Sequence, residues 1–306
     1  SRTMGTTIRD VARAAEVSIG TVSRALKNQP GLSEATRARI VEIAQRLGYD
    51  PAQLRPRVRR LTAPNPGMMT GPGTNSYIVG TGDLALIDPG PEIASHIEGL
   101  ITAAGNRLRL ILTTHTHFDH SPAARALKAA TGATVLGMPA PPQANQDQAF
   151  APDRVPVHGE VVRCGDFSLR AVHTPGHASN HLCYLLEGRR VMFTGDHVMQ
   201  GSTVVISPPD GNMGDYIDSL DTLSAACDTD GIEFILPAHG YVLGFAKQAI
   251  AQLKAHRLKR EAKVVAAMRA KPDGTPEEWV PLAYDDVPPR MWPLAQRSLL
   301  AHVQRI

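Results

Sequence analysis

The 306-residue chain holds twelve histidines, yet His115, His117 and His120 share six consecutive positions with Asp119 in the stretch TTHTHFDHSPAA, residues 113 to 124. Three imidazoles and a carboxylate suit a borderline divalent ion, zinc first, with iron or manganese as alternatives. The apolar run Leu110, Ile111, Leu112 reads as a buried strand. Continued alternation sends His115 and His117 in one direction, and the turn through Asp119 and His120 brings two more donors back toward them. A lone HxH would read more simply as a polar loop opening a helix, with Asp119 as its cap. Donors further along tip the balance: His177 behind the Pro-Gly turn of HTPGHASN, Asp196 at the strand end of MFTGDHV, and His239 in ILPAHG. His173 reads as a structural support, and His197 either supports Asp196 or helps to bind substrate. His158 and His181 read as ordinary surface or satisfied strand histidines. GPGTN at 71 to 75 lacks the lysine and spacing of a phosphate loop, so it reads as a turn before a strand.

The elements that must hold these donors are strands alternating with helices from Leu61 onward. NSYIVG and LALIDPG form a hairpin, PEIASHIEGLITAAG a helix, LRLILTT a strand and SPAARALKAATG a second helix. ATVLG, FSLRAVHT, HLCYLL, RRVMFTGD and FILPAHG follow as strands, several ending directly in histidine or aspartate. A sheet rim of this kind holds side chains rigidly for ligand binding. Residues 247 to 306 add a long amphipathic helix, a loop-rich link and a final helix whose Leu299, Leu300 and Val303 pack back.

The first sixty residues differ in kind. They carry 12 Lys/Arg against 5 Asp/Glu, a net of +7 in a chain whose total is +3. A basic segment on an acidic remainder points to a nucleic-acid contact at this end. Ile8, Val11, Ala12 and Ala15 have helical spacing, a short turn follows at EVS, Val22 and Leu26 carry a second stripe, and Ser33 caps a third helix that ends near Gly48. Apolar content of 42% and charged content of 20% are those of a globular chain, with no apolar stretch fit to cross a bilayer. The start lacks the apolar core of a secretory leader, and Cys164, Cys183 and Cys227 are unpaired by any CxxC spacing, so a reducing, cytoplasmic setting is expected.

TIRDVARAAEVSIGTVSRAL followed by LSEATRARIVEIAQRLGYDP resembles the headpiece of lactose-repressor-family regulators over residues 6 to 51. The resemblance implies that Ser18 to Leu26 enters the major groove, with Ile19, Gly20 and Arg24 toward base edges and Thr7, Ser18, Thr21, Ser23, Ser33 and Thr36 on phosphates. Glu16 stands where that family has a turn glycine, at a strain of roughly 1 kcal/mol. Pro56 falls within the family's hinge helix, and the sugar-binding domain is replaced by unrelated sequence.

HxHxDH, then His177, Asp196 and His239 in order, together with IDPG at 87 to 90, resembles the metallo-β-lactamase superfamily across residues 61 to 246. The resemblance implies an αββα sandwich in which His115, His117 and His177 hold one metal, Asp119, His120 and His239 a second, and Asp196 bridges them. Two zinc ions sharing a hydroxide would then hydrolyse an ester, thioester, lactone or phosphodiester, with Asp119 and Asp196 as the catalytic carboxylates. The tail resembles the winged-helix-like appendage of the lactamase-beta-2 branch, which includes a single-strand-selective endoribonuclease. In a nuclease Lys254, Arg257, Lys259, Arg260, Lys263, Arg269 and Lys271 would track phosphates; in a small-molecule hydrolase they would form a solvated helix face. A third alternative is a DNA-binding regulator whose metal domain senses a ligand or dimerises. The domain expectation is a headpiece at 1–57, a hydrolase at 58–246 and a mainly helical appendage at 247–306. A homodimer would present two headpieces to a near-palindromic site.

Overall fold

The computed structural model describes residues 8 to 26, 31 to 47 and 58 to 306. The chain divides into two compact units, residues 1 to 55 and 56 to 306. In the first, α1 (Ile8–Ala14), α2 (Ile19–Leu26) and α3 (Glu34–Arg46) close over Val11, Ala15, Val22, Ala25, Ile40 and Ala44. Ser33 caps α3 by accepting from the Thr36 amide. Arg37 and Arg39 donate to the carbonyls of Ala25 and Ala15, tying α3 to the other two helices. Glu16 sits at φ 53°, the left-handed position its place in the turn foretold. Thr7, Gly48 and the proposed hinge at Pro56 lie outside the described residues, as does the side chain of Ser23.

The larger unit is built on two five-stranded sheets. The first runs in the order β1 (Val58–Thr62), β2 (Asn75–Val79), β3 (Leu84–Ile87), β4 (Leu108–Leu112), β5 (Thr134–Leu136). The second contains β6 (Val161–Cys164), β7 (Phe167–His173), β8 (Leu182–Leu186), β9 (Val191–Gly195) and β10 (Phe234–Pro237), with β10 and β6 at its edges. Strand alternation deals side chains to separate layers. Tyr77, Val79, Ala85, Ile87, Leu112, Tyr184 and Phe193 meet between the sheets. The alternate residues Ile78, Leu84, Leu86 and Ile111 pack outward under α4 (Ala94–Ala104) and α5 (Ala124–Thr131). Cys183, Leu185 and Met192 pack outward on the other side, under α6 (Met213–Thr229). The result is the αββα sandwich, with both faces of each central strand buried.

β1, β6 and α6 were not foreseen. β1 is half exposed at a sheet edge, so its residues VRRLT lack a clean apolar alternation. The helix α6 begins at Asn212, whose side chain caps the Asp215 amide. The tail holds α7 (Ala246–Ala270), α8 (Pro276–Ala283) and α9 (Trp292–Arg305). The expected loop-rich link therefore contains α8, which a capping box at Thr275 and Glu278 starts. Leu299 is buried against α7 and α8, whereas Leu300 is exposed; the two point to different sides of α9 because consecutive helical residues lie about 100° apart. No helix among the described residues is long and apolar enough to cross a membrane.

Candidate metal centre

β4 ends at Leu112, and the backbone then turns so that all four donors of the opening stretch converge with the three downstream. Potential ligand atoms fall into three overlapping groups: His115, His117 and His177; His115, His120 and Asp196; and Asp119, His120 and His239. His117 Nδ1 lies 2.9 Å from His115 Nε2 and 3.0 Å from His177 Nε2. Asp196 stands between the two ends. Its Oδ2 is 3.5 Å from His177 Nε2 and 3.9 Å from His115 Nε2; its Oδ1 is 3.2 Å from His239 Nε2 and 3.5 Å from His120 Nε2. Asp119 Oδ2 closes the second end, 3.2 Å from His239 Nε2 and 3.3 Å from His120 Nε2.

The opposite edge of most rings is committed elsewhere. His177 Nδ1 donates to the Val205 carbonyl at 2.7 Å, His239 Nδ1 to the Gly73 carbonyl at 3.3 Å, and His120 Nδ1 to the Asp88 carboxylate at 3.1 Å. Each of these bonds leaves Nε2 directed into the cluster. His120 Nε2 and Asp196 Oδ1 are buried without an aligned hydrogen bond, although oppositely charged partners lie close. Convergent nitrogen and oxygen donors that fail to satisfy one another fit divalent cations.

Electrostatics give the same picture. Burial, then the neighbouring His120 and His117, holds the His115 pKa well below the usual histidine range. Burial and His177 push that of His117 down to about 3. At the other end burial would also lower His239, but Asp196 and a hydrogen bond donated to Asp119 raise it to about 10. His120 is likewise raised against its burial, by Asp119, Asp196 and Asp88. One end thus presents neutral imidazole donors, and at the other buried carboxylates draw in positive charge.

Residues outside the expected set position it. Asp88, from the IDPG turn, occupies φ 52° and accepts from the Thr114 amide and hydroxyl as well as from His120. Thr74 donates its hydroxyl to Asp119 Oδ2 at 3.1 Å. His181 is a satisfied histidine and not a surface one: it is fully buried, its Nδ1 meets the Thr174 hydroxyl, its Nε2 accepts from the Asp196 amide, and its ring lies 5.0 Å from that of His115. Gly195 leaves room for it, since a Cβ there would come within 2.7 Å of His181 Nε2 and 2.6 Å of Thr114 Oγ1. His197 is buried against the Tyr216 ring, 4.4 Å between centroids, and does not line the cleft; it supports the turn after Asp196. His173 bonds the Ser179 carbonyl, and neither it nor His158 is part of the donor groups.

The segment that carries Val205 is itself held from the tail. The buried Arg257 of α7 donates to the Val204 carbonyl and lies over the Tyr216 ring at 5.1 Å. Ser298 of α9 accepts from the Ile206 amide at 3.3 Å. The cations along α7 are therefore of two kinds: Lys259 and Arg269 are exposed as on a solvated face, and others are buried or paired. Arg257 and Arg260 are buried, and Lys254, Arg260, Lys263 and Lys271 face Asp221, Asp286, Asp285 and Glu278.

His117, Asp119, His177, Asp196 and His239 open on a cleft of about 550 Å³. Met68, Met69, Met199, Val204, Met291 and Leu294 are among the apolar residues that wall it, and among the described residues Arg297 is the one lysine or arginine of its lining.

The comparison with known families agrees with a donor cluster at the rim of an αββα sandwich. Residues 69–239 match the model of the Metallo-beta-lactamase superfamily, and the chain belongs to that superfamily as a metal-dependent hydrolase. Residues 7–52 match the Bacterial regulatory proteins, lacI family, and residues 275–306 the Beta-lactamase associated winged helix domain. The chain is 33% identical to an atrochrysone carboxyl ACP thioesterase of Aspergillus chevalieri over 228 residues, 72% of this chain and 68% of the relative. It is 33% identical to the atrochrysone carboxyl ACP thioesterase nsrC of Aspergillus novofumigatus over 224 residues, 71% of this chain and 64% of the relative. It thus spans about two thirds of the length of these curated relatives. In fold it is similar to a metallo-beta-lactamase family protein of Thermus thermophilus, with a TM-score of 0.65 at 22% identity over 81% of this chain and 92% of that one.

Proposed function

We propose that the larger unit hydrolyses thioesters of apolar acyl groups. The observation that carries this reading is the cleft: its walls are largely apolar and, among the described residues, hold a single lysine or arginine, where a nucleic-acid track would need several unpaired ones. His115, His117 and His177 would hold one divalent ion, Asp119, His120 and His239 a second, with Asp196 shared between them; the nitrogen-rich donor set favours zinc. Such ions supply Lewis acidity, polarising a carbonyl and acidifying water toward neutral pH. The Asp119 carboxylate, steadied by Thr74, faces the cleft and orients the attacking water. The water oxygen bonds to the acyl carbon, the carbon–sulfur bond breaks, and the water proton ends on the departing thiol. The methionine-rich walls hold the acyl chain and exclude bulk water.

The test is turnover of a matched acyl thioester, ester, lactone and single-stranded RNA by metal-replete protein carrying about two metals per chain. The thioester should lead by at least tenfold, and His117→Ala should abolish turnover of it. Faster cleavage of RNA, or a thioesterase rate untouched by His117→Ala, would overturn the reading.

For the smaller unit we propose duplex binding through α2. Ser18 accepts from the Thr21 amide ahead of α2, and Ile19, Gly20 and Arg24 are exposed along it, so they are free to enter a major groove in a cytoplasmic homodimer. Thr21, Ser33 and Thr36 would touch phosphates, as would Thr7 and Ser23. Selection of a binding site from random duplexes should succeed, and Arg24→Ala should weaken the selected site by roughly tenfold or more. Sedimentation that shows monomers at the DNA-binding concentration would remove the homodimer.

A further inference from the structure

The tail contributes one face of α9 to the cleft: Met291 just ahead of the helix, then Leu294 and Arg297, spaced by three so that they lie along one side. Two apolar residues are thus followed by a guanidinium.

Some cations of this region face carboxylates and others, Lys259, Arg269, Arg290 and Arg297, are exposed without one among the described residues; of these four only Arg297 lines the cleft. Lys254, Arg260, Lys263, Lys271 and Arg305 each face a carboxylate. Arg297 has no hydrogen-bond or ion-pair partner among the described residues, and it is the only lysine or arginine lining the cleft. The one acid of the cleft outside the donor cluster, Asp210, is occupied by Gln146 at 2.6 Å and Ser179 at 2.6 Å. The remaining polar lining, Ser202, Thr203, Ser207, Gln143 and Asn145, is uncharged. No hydrogen bond or ion pair to the guanidinium is made by the described residues.

We propose that Arg297 is a specificity residue that binds an anionic group of the substrate, a carboxylate or phosphate, beyond the apolar portion of the molecule. This rests on the thioesterase reading and narrows it to an anionic thioester. Arginine suits the role because its planar fork meets two oxygens of either anion at once and stays charged at all working pH. The anion has two chemical sources: a distal carboxylate on the acyl half, or a phosphate on the thiol half.

Three thioesters of one acyl length separate them: a neutral acyl N-acetylcysteamine, the same acyl on 4′-phosphopantetheine, and an ω-carboxyacyl N-acetylcysteamine. For the arm that carries the right anion, Arg297→Leu should raise KM by about 10- to 100-fold with kcat within about twofold. Arg297→Lys should recover part of that loss, and the neutral arm should be unaffected by either change. Equal KM changes in all three arms, or none, would overturn the proposal. Calorimetry with the non-hydrolysable thioether analogues separates this outcome from failure of the thioesterase reading. Arg297-dependent binding of one anionic analogue without thioester turnover would retain the anion site and discard the reaction. Binding indifferent to Arg297 would discard the site.

Discussion

The two ends of the metal centre are held by different parts of the molecule. At the His120 and His239 end the supports are strand-end groups of the sandwich itself: Asp88 just after β3 bonds His120, and the Gly73 carbonyl ahead of β2 bonds His239. At the His177 end the support is the Val205 carbonyl, in a segment pinned by Arg257 of α7 and Ser298 of α9. One end is fixed by hydrogen-bonded sheet, the other by helices of the tail. The tail thus builds part of the site, and if two metals bind as proposed, a structural change in α7 or α9 should reach one position before the other. The Asp196 carboxylate, with one oxygen toward each end, is the group both share.

That comparison can be broken in order of expected effect. Asp196→Ala removes the shared ligand, so metal content should fall at both positions and kcat/KM should drop by at least about 10³-fold; retention of two metals by mass spectrometry would refute the bridging role. Asp88→Ala leaves the His120 ring unoriented and should weaken one metal by about 100-fold, leaving the other intact in a chelator titration. Arg257→Met and Ser298→Ala should each weaken the other metal by about tenfold. Combined with Asp88→Ala, their effects on metal affinity should add, as independent supports do, and strong non-additivity would show the two ends to be one unit.

The smallest effect tests the tail alone. Burial pushes the His302 pKa down to about 4 against its bond to Glu261, while in the unfolded chain it is about 6.5. Between these values the unfolded chain binds the extra proton. Stability therefore rises with pH through this window and is lost as pH falls from about 6.5 toward 4. His302→Gln should flatten the acid side of a melting-temperature profile measured on metal-free protein; an unchanged slope would exclude His302 as its source.

The local patterns were legible because each rests on short-range geometry. NSYIVG and LALIDPG pair as the antiparallel β2 and β3, the Ser33 cap starts α3, and the Pro-Gly turn works because Gly176 at φ 144° lies where a Cβ would strike Tyr216. The elements missed had weaker signals. The edge strand β1 shares its arginines with the basic stretch before it, and α6 is buried along so many positions that no amphipathic stripe stands out. That His181 is a satisfied histidine was open to the sequence, but not that its partner is an amide fifteen residues away, that of Asp196. That Arg257 and Arg260 of α7 are buried was not legible, because a helix does not reveal which of its cations turn inward or meet carboxylates on α6 or in the turn after α8.

The sequence by itself determined the donor types, their order and the layered alternation of the strands, because these follow from residue chemistry and a backbone period of two. Only the tertiary structure decided which nitrogen of each ring faces the cluster, that Arg257 and Ser298 support one end of it, and that Arg297 stands unpaired in the cleft. Those outcomes depend on contacts between distant segments, such as Ile206 and Ser298, 92 residues apart, whose partners are chosen by packing rather than by spacing along the chain.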